Sequence, residues 1–220
     1  MRTFDTPAPI STVLDVPAGH VRLIADDRAD TAVQVRPADA AKGRDVQAAA
    51  RTAVEYGDGV LRITAPAKTQ VLGPSGFVEV EVRLPAGSHV EVRAAGVDFR
   101  GVGRLGDVAV EGAHASVEVE EAGSVRLTTR SGDVAVGRLT GSAEISTGKG
   151  DIRIAEAVSG TVVLRTLAGD VSVDAAAGVS ASLDAGTGHG RIRNTLRNTG
   201  TADLSIHATT SHGDIVARGR

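Results

Sequence analysis

Cysteine is absent from this 220-residue chain, so disulfides, thiolate metal sites and cysteine nucleophiles are all excluded. Tryptophan is absent too, and Phe4, Phe77, Phe99 and Tyr56 are the only aromatic residues. Sugar-binding surfaces and single-strand nucleic-acid surfaces rely on exposed rings, and four scattered rings cannot build such a platform. No strong charge of one sign is present: the formal net charge is −3, and no run of like charges forms a tail. A phosphate-backbone binder is therefore disfavoured, and no nucleic-acid partner is expected. No apolar run approaches the roughly 18 residues of a spanning helix, and the first residues lack the apolar stretch of a signal peptide. The default expectation is a cytoplasmic protein with no membrane span.

What the chain has instead is Gly, Ala and Val, with Arg as all but three of its 24 basic residues. It also has a repeat. Val90, Val108, Val125, Ala143, Val162, Leu183 and Ile206 begin equivalent rows, spaced by 18, 17, 18, 19, 21 and 23 residues. Two residues on stand Val92, Val110, Leu127, Ile145, Leu164, Ala185 and Ala208. Two further on come Ala94, Gly112, Thr129, Thr147, Thr166, Thr187 and Thr210. Nine residues from each start stand Phe99, Val117, Val134, Ile152, Val171, Ile192 and Ile215.

Residues two apart on a strand share a face, so the first, third and fifth positions of each row point inward. The next inward position falls an odd number of residues later, which requires a corner between two strands. Gly132, Gly150, Gly169, Gly190 and Gly213 stand at that corner. Two architectures satisfy the pattern. In a β-solenoid each row is one coil, with equal positions stacked in parallel ladders. In a meander each row is a hairpin turning at the Gly-Asp corner. Identical residues recurring down columns, five consecutive threonines among them, favour the solenoid. The threonines are expected to form an inward hydroxyl ladder.

The fold expected is all-β: a single-stranded β-helix or β-solenoid of about seven coils, after a less regular N-terminal β section with one short helix. One domain over 1–220 is expected, irregular over 1–88 and regular over 89–220. Leu14–Leu23 echoes Val82–Val92, Asp45–Thr52 is the one plausible helix, and Tyr56–Val60 reads as a hairpin turn. The segment Ala65–Gly76, rich in Pro and Gly, reads as a mobile loop. Return loops lengthen towards the C-terminus, and the last row, Ile215–Arg220, is expected at a bare end of the stack.

Ser-Gly-Asp-Val at 131–134, Lys-Gly-Asp-Ile at 149–152 and the Leu-Pro-Ala-Gly-Ser segment Leu84–Ser88 resemble the bacterial adhesin-type β-strand-repeat family also called toastrack. The resemblance covers nearly the whole chain. It implies a β-helical domain without established enzymatic activity, linked to cell-envelope stress systems or surface roles. The family defines no catalytic residues, so none is carried over.

The residue after the corner glycine is the sharpest chemical candidate. Down the rows it reads Asp98, Ser116, Asp133, Asp151, Asp170, Arg191 and Asp214. Stacked carboxylates about 4.8 Å apart repel by about 1 kcal/mol in a water-like dielectric and about 3–4 kcal/mol at an effective constant near 20. The structural answer is that each Asp accepts N–H bonds at its own turn. The functional answer is a divalent cation on Asp133, Asp151 and Asp170. His189 and His212 stand before the corner glycine in successive rows and are the other candidate metal ligands. Gly101–Gly106 has the spacing of a dinucleotide fingerprint but no helix follows, so no cofactor is implied.

The function expected is a non-catalytic structural or interaction module, an adhesin-like or envelope-stress-associated scaffold. It would bind a protein partner or itself, as a homodimer through an end coil or the C-terminal return loops at 174–182 and 195–205. The alternatives are a divalent-cation-dependent adhesion module and a carbohydrate-active β-helix enzyme using Asp133, Asp151 and Asp170 as acids.

Overall fold

The alternation of apolar and polar residues becomes strand after strand in the computed structural model, which describes residues 1–65 and 76–220. The turns are set by glycine and the strands by Val, Ile and Leu, as β-branched and aliphatic side chains fit a pleated, half-buried surface. Almost all strands pair in parallel, and the repeat is a solenoid and not a meander. The chain divides into two units, Met1–Ala115 and Ser116–Arg220.

The first unit holds β1 (Arg2–Asp5), β2 (Ser11–Asp15), β3 (Ala18–Asp26), β4 (Asp30–Pro37), α1 (Gly43–Arg51), β5 (Ala53–Gly57), β6 (Val60–Thr64), β7 (Val78–Pro85) and the first part of β8 (His89–Ser131). On one face β2 lies between β6 and β8, with Leu14 opposite Ile63 and Val92. On the other β3 lies between β7 and β8, with Val21 opposite Val80 and Phe99. The coil β2–β3 is thus first in sequence and second in space. The echo between Leu14–Leu23 and Val82–Val92 is a likeness of sequence and not a pairing register, because Leu23 is the residue opposite Val82.

Antiparallel strands cover the outer coil of this unit. β5 joins β6 through a hairpin whose turn residues Asp58 and Gly59 both have positive φ, the geometry that matches strand twist. β4 joins β7, and β1 joins β4. The helix is the short one expected, lying against β4 and β7. Its buried Asp45 accepts the Phe77 N–H at 3.0 Å, and Gly76 lets the helix approach, since a Cβ there would stand 2.3 Å from the Arg44 carbonyl oxygen. The expected mobile loop falls for the most part at 66–75, outside the described residues.

The second unit holds the rest of β8, then β9 (Val134–Leu139), β10 (Ala143–Lys149), β11 (Ile152–Ala157), β12 (Gly160–Ala168), β13 (Val171–Ala175), β14 (Ala181–His189), β15 (Ile192–Thr195), β16 (Leu204–His212) and β17 (Ile215–Gly219). Each coil is a pair of strands meeting at a corner glycine, followed by Asp133, Asp151, Asp170 and Asp214 in four of them and by Arg191 in β14–β15. The inward columns Val125–Ala143–Val162–Ile206 and Val134–Ile152–Val171–Ile215 are all 4% exposed or less.

The order of these coils differs from the order of the rows. β16 pairs with β12 on one side and β14 on the other, and β17 likewise lies between β13 and β15. The last row is therefore covered on both sides, and the outermost coil is β14–β15. The bare end expected at Ile215–Arg220 is corrected: Ile215 and Ala217 are buried, whereas Ile192 is 45% exposed.

Candidate functional site: the corner column and the open coil

The corner begins with backbone geometry. Gly132, Gly150, Gly169 and Gly213 have φ between 131° and 151°, where a side chain is strained. They also stack closely: a Cβ on Gly169 would stand 2.1 Å from the Gly150 carbonyl oxygen, and one on Gly213 2.0 Å from that of Gly169. Only glycine fits both demands.

The residue that follows projects its carboxylate along the stack. Asp133 Oδ1 accepts the Asp151 N–H at 2.9 Å, Asp151 Oδ1 that of Asp170 at 2.8 Å, and Asp170 Oδ1 that of Asp214 at 2.7 Å. Asp214 Oδ1 accepts the Arg191 N–H at 2.9 Å, and its Oδ2 is held by the Arg191 guanidinium at 2.9 and 3.2 Å. Each acid is thus bound to the backbone of the next coil and not to its own turn, as the sequence had suggested. A row of donors offsets the carboxylate repulsion at every step. The Arg191 N–H, then its guanidinium, hold the Asp214 carboxyl below its ordinary value of 3.8.

This geometry bears on two chemistries. A divalent cation at Asp133, Asp151 and Asp170 would compete with N–H donors for one oxygen of each carboxylate. A glycosidase needs two carboxylates in unlike environments across a cleft, and these three share one environment on one column. His189 and His212 do meet, their rings stacked with centroids 4.8 Å apart and planes 3° from parallel. Below them the column continues with Ala168 and Lys149. Among the described residues no third His, Cys, Asp or Glu joins them to hold a metal ion.

The threonine column is inward, as expected, and hydrogen-bonds along the stack by another route. Thr166, Thr210 and Thr187 donate to the carbonyls of Gly150, Gly169 and Gly213 at 3.1, 3.0 and 3.0 Å. These three hydroxyls reach the corner glycines of the neighbouring coil, whereas Thr129 donates to the Ser131 carbonyl of its own strand at 3.0 Å. The column is a tie between strand and corner.

The open coil is what sequence reading missed. Leu183, Ala185 and Thr187 occupy inward positions whose counterparts in the second unit are buried, yet each is only half-buried. The return loop after β15 covers one end of β14, where the Arg197 carbonyl accepts the Ala181 N–H at 2.9 Å and Ser180 Oγ accepts that of Thr199 at 3.0 Å. The rest of the edge is bare among the described residues. Two signals marked this coil: Asn194 stands where Val136, Ile154, Val173 and Ala217 put an inward apolar side chain, and Arg191 replaces the aspartate. The two longest spacings, flanking row six, are the lengths a chain needs to skip one coil position and return.

Against known proteins, the family model described as Toastrack DUF4097 matches residues 13–219. No curated protein matches the chain in sequence. Among solved structures, a "putative adhesin" from Bacteroides fragilis is similar at 13% identity with a TM-score of 0.52, covering 98% of this chain and 95% of that one. A "putative cell adhesion protein" from Clostridium sporogenes aligns at 11% identity and a TM-score of 0.43, covering 100% and 98%. At 13% identity the likeness to the Bacteroides fragilis protein is one of fold. Among the described residues no helix is long and apolar enough to cross a membrane.

Proposed function

Since the chain belongs to the toastrack family, we propose that it is a non-catalytic interaction module whose working surface is the open coil β14–β15. The occupant is a protein partner or a second copy, and the module serves as an adhesin-like or envelope-associated scaffold. The observation that carries this reading is the exposure of Ile192 and the half-exposure of Leu183, at positions that every neighbouring coil buries. A solenoid end of this kind must be capped or joined, because an exposed strand edge presents unpaired backbone groups. The name of the Bacteroides fragilis relative agrees with an interaction role. The remaining columns support it by exclusion of other work: acids, threonines and glycines alike are spent on holding coil to coil.

The test is solution mass by sedimentation over a wide concentration range, for the wild type and for the double variant Leu183→Lys, Ile192→Asp. Concentration-dependent association lost in the variant is the expected result. A wild type that stays monomeric throughout removes the self-associating half of the reading, and a variant that associates unchanged removes the open coil as its site.

A further inference from the structure

Resting on that reading, the hydrogen-bond parity of the coils says which partner the open edge fits. Within the second unit, the backbone donors at the corner all run in one direction along the stack. The N–H groups of Val134, Ile152, Val171 and Ile215 donate to the carbonyls of Asp151, Asp170, Asp214 and Arg191, each in the following coil. Those of Gly132, Gly150, Gly169 and Gly213 do the same with Lys149, Ala168, His212 and His189. In β14–β15 the equivalent groups belong to Gly190 and Ile192, and among the described residues no coil follows.

On β14 the outward direction is fixed by Ala181, whose N–H reaches the return loop on that side. N–H and C=O groups alternate sides along a strand, so Leu183, Ala185 and Thr187 also point theirs out of the edge. These are the residues whose side chains face inward. Edge hydrogen bonds and core side chains therefore belong to the same residues, and any strand that pairs here also covers the core.

We propose that the occupant is a second copy of this chain, with β14 pairing antiparallel to β14 of the other copy about a two-fold axis at Ala185. That axis sets Ala185 against Ala185 and Leu183 of each copy against Thr187 of the other. The outward-pointing groups then meet each other in the hydrogen-bonded pairs of an antiparallel ladder. On the opposite face Asp184 falls against Gly186 and Ser182 against Gly188. Asp184 is the one acidic residue of the strand, and this register keeps it from meeting its own copy; it already lies 3.4 Å from His207 of the adjacent strand. Nothing lies within 4 Å of a Cβ built on Gly186, which leaves room for the facing carboxylate. A foreign peptide added to an edge is selected through pockets for alternate side chains, and glycines at 186 and 188 offer none. A self-complementary edge needs no such pockets. The patch is one coil deep, at the low end of interface sizes, so association weakens in about the micromolar range.

Two single variants test this. Ala185→Pro removes one outward N–H and leaves the bonds from β14 to β16 intact, as proline is tolerated where a strand's N–H faces away from its sheet. Sedimentation is expected to show association weakened at least about tenfold, with an unchanged circular-dichroism spectrum. Ala185→Cys places a lone thiol on the axis, where the Cα separation of about 5.5 Å for a bonded antiparallel pair admits a disulfide. It should cross-link on mild oxidation, whereas Leu167→Cys, exposed on β12, should not. A wild type that dimerises while Ala185→Cys stays uncross-linked overturns the register and leaves the self-associating reading standing. A wild type that is monomeric at every concentration overturns both. If Ala185→Pro fails to fold, the cysteine pair still decides.

Discussion

The two units solve the same topological problem and finish it differently. Each sets its sequence-terminal coil one place in from the outside: β2–β3 lies between β6–β7 and β8, and β16–β17 lies between β12–β13 and β14–β15. In the first unit the outer coil is then covered. Antiparallel β5 and β4 end the parallel stacking, β1 follows on β4, and α1 lies against β4 and β7. The outermost strands are fastened to each other: Arg2 donates to the Val54 carbonyl at 2.7 Å, and the Phe4 and Tyr56 rings lie 5.4 Å apart. In the second unit, among the described residues, the outer side of β14–β15 has only the return loop against one end. The coil physics is common to both, so the difference lies in termination. A covered edge stores stability, and an uncovered one is available for binding.

The comparison predicts that equal substitutions cost unequal amounts along the second unit. Gly169→Ala forces a side chain into a positive φ and within 2.1 Å of a backbone oxygen, so about 3–5 kcal/mol of stability is expected to be lost. Gly186→Ala, in open space on the outer strand, should cost less than about 1 kcal/mol. Denaturant unfolding measures both. Equal losses would mean that the outer coil is as tightly held as the inner ones.

A second pair sharpens the same contrast. Ile152 and Ile192 hold the same inward position, one 1% exposed and the other 45%. Truncating Ile152 to Ala should cost about 2–5 kcal/mol, as for a buried aliphatic core residue. The same change at Ile192 should cost about 1 kcal/mol in the monomer and more under conditions where the protein associates, because a covered Ile192 becomes core. A concentration-independent loss at Ile192 would break the link between this residue and any interface.

How much of this was legible in the sequence follows from what is local. The nine-residue step, the inward columns and the Gly-Asp corner were readable because strand parity and glycine's tolerance of positive φ act within one coil. The hairpin at Asp58–Gly59 and the helix were readable for the same reason. Coil order was not. Val162 can stack on Leu183 or on Ile206 with equal ease, since both are apolar residues at the same position of the same repeat. Only loop length and the lapse of the pattern at Arg191 and Asn194 distinguish the outer coil, and these are weak signals without coordinates. The Asp column was placed correctly in register and wrongly in its bonding, because an acceptor at its own turn and one for the next coil's N–H require the same residue type.

The smallest effect lies at the last rung of that column, where inner and outer coils meet. Asp214 is the acid whose neighbour on the open side is a cation, Arg191, and its carboxyl is held below 3.8 by the Arg191 N–H first and the guanidinium second. A carboxyl depressed on folding contributes stability that is fully present above its unfolded value and is lost as pH falls through the folded one. Any contribution from Asp214 therefore survives at neutral pH and disappears only in acid, below 3.8. Arg191→Ala keeps the N–H and removes the guanidinium, so the Asp214 carboxyl should rise towards 3.8 without reaching it. A carboxyl-detected NMR titration of the two proteins reads this directly. An unmoved Asp214 in Arg191→Ala would mean that the backbone donor alone sets it, and that the outer coil closes the ladder through its N–H, with the arginine side chain free to face whatever covers the edge.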